Sequence, residues 1–153
     1  MKRILVLGSG QLGLMLAEAA SRLGIQLDRL DTENWRLLKG TSPIAEPLPD
    51  DWTGAEYDFV TVEKEHFPDR SVLEFFSGHP GFRALAALDQ LADRRKQKAL
   101  LDELGIATAE WCTVSDGEDI AQLQHRVGPS LILKSATGGY DGRGQWRIKD
   151  LHS

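Results

Sequence analysis

At 153 residues the chain has room for one domain, or for one compact domain and part of another. Its 41% hydrophobic and 27% charged residues suffice for a core and exclude a globally disordered chain, and a net charge of −5 argues against a general nucleic-acid binder, which carries a basic surface. Cys112 stands alone, so no intramolecular disulfide can form; the four histidines have no metal-ligand spacing and no apolar run approaches the ~20 residues of a membrane helix, so a cytoplasmic chain without nucleic-acid or membrane partners is expected.

Arg3 to Leu7 reads as a strand and is followed at once by Gly8-Ser9-Gly10-Gln11-Leu12-Gly13. Leu14, Met15, Leu16, Ala17, Ala19, Ala20 and Leu23 then recur at a spacing that suits a helix packed on a sheet, with Gly24 as its stop. Strand, G-x-G-x-x-G and helix in this order open a dinucleotide-binding type of fold, and the helix start suits an anion. The motif alone does not say which anion. Gln26 to Leu30 reads as a second strand, and Asp31 follows it, close to where an NAD-binding protein carries its ribose-binding acid.

Trp35 to Asp51, with Pro43, Pro47 and Pro49, reads as loop and turn. Tyr57, Phe59, Val60 and Val62 mark another strand, which ends in Glu63-Lys64-Glu65. On extended backbone Glu63 and Glu65 share a face, and at the end of a parallel strand that face looks into the ligand crevice of an open sheet. Two solvated loop acids are the alternative. Arg70 to Phe76 suits a short amphipathic helix, and four βα-like units in this first part suit one small doubly wound sheet.

Asp89 to Leu104 favours one helix, with Arg94, Arg95 and Lys98 riding on it. A strand over Ala109 to Val114, a helix over Glu118 to Val127, and strands over Leu131 to Ser135 and Gln145 to Ile148 are expected after it. Between the last two strands lie Gly138, Gly139, Gly142 and Gly144. Such a loop can turn successive N–H groups toward one anion. Lys134 adds a point charge and Arg143 a planar fork of donors. A flexible hairpin would explain the glycines alone, but Lys134 ahead of the loop and Tyr140, Asp141 and Arg143 inside it favour a bound phosphate.

Gly8 to Gly13, Ala92-Asp93-Arg94 with Gln97-Lys98, and Lys134 ahead of Thr137-Gly138-Gly139-Tyr140-Asp141-Gly142-Arg143-Gly144-Gln145 resemble the N-terminal portion of the N5-carboxyaminoimidazole ribonucleotide synthase family. These are the ATPase subunits of phosphoribosylaminoimidazole carboxylase, within the ATP-grasp superfamily. The resemblance implies an α/β chain, with a small doubly wound parallel-sheet, Rossmann-like pre-ATP-grasp domain over 1–88. A connecting helix and the first, incomplete part of an α+β ATP-grasp domain would follow over 89–153. The activity implied is that of a carbon–nitrogen ligase: ATP-dependent carboxylation of aminoimidazole ribonucleotide with bicarbonate, through carboxyphosphate, in purine biosynthesis.

By that resemblance Arg94 and Lys134 contact the ATP phosphates, and Gly139, Tyr140, Asp141, Gly142, Arg143, Gly144 and Gln145 form a loop that closes over them. Lys134, Asp141 and Arg143 carry the chemistry, and Tyr140, Asp141 and Arg143 also face the ribonucleotide and the bicarbonate-derived group. Gly10, Gln11 and Leu12 hold the ribonucleotide 5′-phosphate, and Glu63 reaches the substrate. Lys64 stands where the family more usually has an apolar residue. Mg²⁺ is expected with ATP, held by acids in a later part of the fold and by none in this chain, and the full-length form is expected to be a homodimer. The 153 residues alone are not expected to hydrolyse ATP, and the strand ending near Ile148 is expected to lack neighbours and leave apolar surface. An NAD(P)-binding Rossmann module and a nucleotide-binding remnant without catalysis are the alternatives.

Overall fold

The computed structural model describes residues 2–67, 69–83, 85–139 and 143–148, and the chain divides into two units, Met1–Leu88 and Asp89–Ser153. In the first unit β1 (Arg3–Leu7) leads through the glycine turn into α1 (Gln11–Arg22) and back along β2 (Gln26–Asp31), parallel to β1. Next come β3 (Arg36–Leu38), β4 (Ala45–Pro47), β5 (Phe59–Val62) and α2 (Ser71–Phe75). The strands lie in the order β4-β3-β2-β1-β5, with β1 between two parallel neighbours.

Side chains alternate across a strand, so β1 serves two cores. Val6 packs with Leu27 and with Ala17 and Ala20 of α1, whose small residues let the helix lie close to the sheet. Leu5 and Leu7 point the other way and join Val72, Leu73 and Phe76. The ends of β1 and β5 are thereby held side by side, with Leu7 opposite Val62.

The sheet is mixed, not the parallel sheet expected from sequence, because β3 and β4 run antiparallel to their neighbours. They also replace the loop expected over Trp35 to Asp51. Buried charge on β2 accounts for them: Asp28 is 2% exposed and Arg29 is 3% exposed, and charged groups this deep must be paired. Asp28 accepts hydrogen bonds from the Gly40 N–H at 3.0 Å and the Tyr57 hydroxyl at 2.9 Å. Arg29 donates to the Gly40 carbonyl at 3.1 Å and the Ser42 carbonyl at 2.7 Å. These bonds fasten the turn between β3 and β4 to β2. Burial and the bond to Asp28 push the Tyr57 hydroxyl above its ordinary range, so it stays a donor.

The helix expected over Asp89 to Leu104 is broken in two, as α3 (Leu85–Leu91) and α4 (Arg94–Glu103). Asp93 makes the break: its backbone is extended and its carboxylate accepts from the Arg95 N–H, so it caps α4 instead of continuing α3. The expected strand over Ala109 to Val114 does not form, and the chain there has no sheet partner among the described residues. Asp119 caps α5 (Ile120–Val127), and β6 (Leu131–Lys134) pairs antiparallel with β7 (Gln145–Ile148) in a two-stranded sheet. On that sheet Ile132 and Trp146 are 54% and 55% exposed. Among the described residues no helix is long and apolar enough to cross a membrane.

Tyr57→Phe removes a donor from buried Asp28 and is expected to lower the unfolding free energy by about 1–3 kcal/mol, read from the urea midpoint. An unmoved midpoint would show that the hydroxyl contributes nothing to holding Asp28.

Candidate functional site

In the first unit the candidate site residues gather where β1 and β5 end. The Gly8 N–H donates to the Leu30 carbonyl at 2.9 Å and the Glu63 N–H to the Leu7 carbonyl at 3.2 Å, so both strand ends stay in register as the chain turns away. Glu63 then reaches across to the start of α1. One carboxylate oxygen accepts from the Gly10 N–H at 2.8 Å and the other from the Gly13 N–H at 2.6 Å. A helix start leaves its first four N–H groups without partners inside the helix. Glu63 takes that of Gly13, along with the Gly10 N–H just ahead of the helix. Those of Gln11 and Leu12 have no protein acceptor among the described residues.

A hollow of about 290 Å³ opens beside this turn, lined by Ser9, Gly10, Asp31, Thr32, Glu33, Glu63 and Lys64. Asp31, the residue near the ribose-acid position of an NAD-binding fold, is engaged by its own turn. Its carboxylate accepts from the N–H groups of Glu33 and Asn34 and from the Asn34 side-chain amide. Burial alone would raise the Asp31 pKa, but the Asn34 amide, those two N–H groups and the charge of Lys64 outweigh it and hold it below the ordinary value. The Lys64 ammonium lies over the Phe67 ring, 5.2 Å from its centre, in a cation–π contact. Glu65 is exposed beyond the strand end, away from the partnership that Glu63 makes.

In the second unit Lys134 ends β6, opposite Gln145, and is exposed. The loop after it is tied at its neck, where the Ser135 N–H donates to the Gly144 carbonyl at 2.8 Å. Gly144 has φ +68, and a side chain there would run into the Ser135 hydroxyl. Arg94, the first residue of α4, holds the loop twice. Its N–H donates to the Ala136 carbonyl at 2.8 Å, and its guanidinium donates to the Gly139 carbonyl at 2.9 Å. A guanidinium carries five N–H donors, so others remain for an anion. Arg143 and Gln145 are exposed, while Tyr140, Asp141 and Gly142 lie outside the described residues.

Gln97 and Lys98, quoted with Arg94 in the sequence pattern, serve their own neighbourhood. Gln97 donates to the Leu91 carbonyl, and Lys98 donates to the Thr108 hydroxyl and, at 3.0 Å, to the Ala109 carbonyl. Sequence reading missed Gly13, Ser135 and Ala136 as backbone partners. Their signal was positional: Gly13 closes the first glycine motif, and Ser135 and Ala136 follow Lys134 directly.

An ATP-grasp domain model matches residues 99–153. The N5-carboxyaminoimidazole ribonucleotide synthase of Escherichia coli strain K12 is 35% identical over 149 residues, which are 97% of this chain and 38% of that protein. A crystal structure of carboxyaminoimidazole ribonucleotide synthase from Aspergillus clavatus complexed with ATP is 30% identical, with a TM-score of 0.75 over 97% of this chain and 41% of that one. The Aspergillus clavatus synthase in complex with ADP and 5-aminoimidazole ribonucleotide is 27% identical, with a TM-score of 0.70 and the same coverage. The chain thus spans about two fifths of the length of the relatives it matches.

Asp93 fixes where Arg94 stands, and its titration reports on that. The Arg95 guanidinium, together with the Arg95 and Lys96 N–H groups, holds the Asp93 carboxyl at about 2. A depressed folded pKa means that the stabilisation is fully present above the ordinary value of ~3.9 and is lost as pH falls through about 2. NMR titration of the Asp93 carboxyl carbon is expected to show its midpoint near 2. A midpoint at the ordinary value would mean that the cap and ion pair are not formed.

Proposed function

We propose, for a chain similar along almost all of its length to about two fifths of N5-carboxyaminoimidazole ribonucleotide synthases, that it supplies phosphate-binding elements for an ATP-dependent carboxylation. ATP would phosphorylate bicarbonate to carboxyphosphate, whose carboxyl group then passes to the exocyclic amine of 5-aminoimidazole ribonucleotide with release of phosphate. The observation that carries this reading is Lys134 at the end of β6, directly ahead of a glycine loop that is tied at Ser135 and Gly144 and held by Arg94. Arg94 and Lys134 would meet ATP phosphates. Lys134 and Arg143 would neutralise charge on the transferred phosphoryl group, and Asp141 would orient the amine or the bicarbonate. The loop from Gly139 through Tyr140, Asp141, Gly142, Arg143 and Gly144 to Gln145 would shield a reactive intermediate from water. Tyr140, Asp141 and Arg143 would also face the ribonucleotide.

In the first unit the cradle proposed for the ribonucleotide 5′-phosphate is Gly10, Gln11 and Leu12. With the Gly10 N–H engaged by Glu63, the donors that serve it are those of Gln11 and Leu12. Glu63, on the wall of the same hollow, would meet the sugar part of the substrate. Mg²⁺ accompanies ATP in this reading and would supply charge neutralisation for the triphosphate. No group of three or more His, Cys, Asp or Glu that could hold a metal occurs among the described residues, so no step is assigned to it here. For the longer protein we also propose a homodimer.

ATP with Mg²⁺ is expected to raise the melting temperature of the chain, and NADPH is not. A charge-assisted bond contributes ~1.5–3 kcal/mol, so Lys134→Ala should weaken ATP binding roughly tenfold or more and shrink the shift accordingly. Stabilisation by NADPH alone, or an undiminished ATP shift in the variant, would overturn the assignment. These 153 residues span 38% of the Escherichia coli relative and are expected to show no bicarbonate-dependent ATP hydrolysis. Clear turnover in a phosphate-release assay would contradict that.

A further inference from the structure

We propose that Glu63 is the specificity residue of the first glycine motif: its carboxylate is a built-in anion that fills the place of a dinucleotide's diphosphate and closes this unit to dinucleotides. In a dinucleotide-binding fold the three glycines of G-x-G-x-x-G have separate tasks: a tight turn, room for the diphosphate, and close packing of the helix. Here all three make room for the same side chain. Gly8 turns with φ +133, and a side chain there would collide with the Glu63 stem. A methyl group on Gly10 would come within 2.6 Å of one Glu63 oxygen, and one on Gly13 would strike the other. The hydrogen bonds agree with the packing, since the Gly10 and Gly13 N–H groups both end on that carboxylate.

The topology puts Glu63 there without strain. β5 is the parallel neighbour of β1 on the side away from β2, and Leu7 pairs with Val62, so Glu63 is the first residue past the strand end. From that point its side chain spans the turn and meets the start of α1 end-on. A helix start favours a negative charge, and here the chain's own carboxylate supplies it. A diphosphate arriving at the same donors would meet an occupied site and a like charge. The sequence motif therefore has the dinucleotide spacing while the space it creates is already taken. This does not depend on what Gln11 and Leu12 bind.

The test is amide NMR on the full 153-residue chain and its Glu63→Ala and Glu63→Gln variants, titrated with NAD⁺ and with inorganic pyrophosphate. In the wild-type chain neither ligand is expected to shift the Gly10 and Gly13 amides saturably. In Glu63→Ala both amides should move, with pyrophosphate binding at least tenfold tighter than in wild type. Glu63→Gln, which loses the charge and keeps the size, should gain less and stands in if the alanine variant fails to fold. Saturable NAD⁺ shifts at the two wild-type amides would overturn the proposal. So would a folded Glu63 variant in which pyrophosphate leaves both amides unmoved. Neither result bears on the ATP reading, whose readout lies at Lys134.

Discussion

The first unit depends on one carboxylate held by two backbone N–H groups at the start of a helix. Glu63 reaches from the end of β5 to Gly10 and Gly13 and couples a strand, a turn and a helix. The coupling needs a parallel neighbour for β1 in the right register, an acid one residue beyond the strand, and glycines wherever the acid must pass. Bonds between a carboxylate and backbone N–H groups are charge-assisted and stronger than neutral ones, and the helix dipole adds to them. The donors that remain for a ligand are therefore fewer and farther along the helix than a bare glycine motif suggests.

The second unit solves a similar problem with the charges reversed. Its glycine loop is held by cationic and backbone donors, with Arg94 bonded to the Ala136 and Gly139 carbonyls and Ser135 closing the neck. Asp93 sets this up by ending one helix and capping the next, which fixes the position of Arg94 at the first turn. The loop of the second unit is thus held from outside by a cationic side chain, whereas the turn of the first is filled from within. The two glycine motifs, alike as text, differ in the sign of the side chain that holds them.

How much of this could be read from the sequence follows from how local the cause is. β1, α1 and β2 were legible because an apolar strand, a glycine turn and a stretch of small and apolar residues are written within Arg3 to Asp31. The β6–β7 hairpin was legible because Lys134 and the glycines punctuate it. β3 and β4 were not, since Arg36, Glu46 and Pro47 show no alternation, and what holds these strands is the buried Asp28 and Arg29 on another strand. The break at Asp93 was hidden because an acid within a helical composition reads equally as interior or cap. Both halves of the clasp were singled out, Glu63 as an acid facing the crevice and Gly10 as part of a cradle. Their pairing was invisible, because residues so far apart in the chain meet only through the register of β1 with β5.

The central claim is that the carboxylate of Glu63 accepts hydrogen bonds from Gly10 and Gly13. Through-hydrogen-bond scalar couplings in a uniformly ¹³C,¹⁵N-labelled chain test it most directly. The account predicts cross-peaks that link the amide nitrogens of Gly10 and Gly13 to the side-chain carboxyl carbon of Glu63, together with slowed hydrogen exchange at both amides. If neither coupling is seen, and the two amides exchange as fast as those of exposed loops, the clasp does not exist and the account of the first unit fails with it.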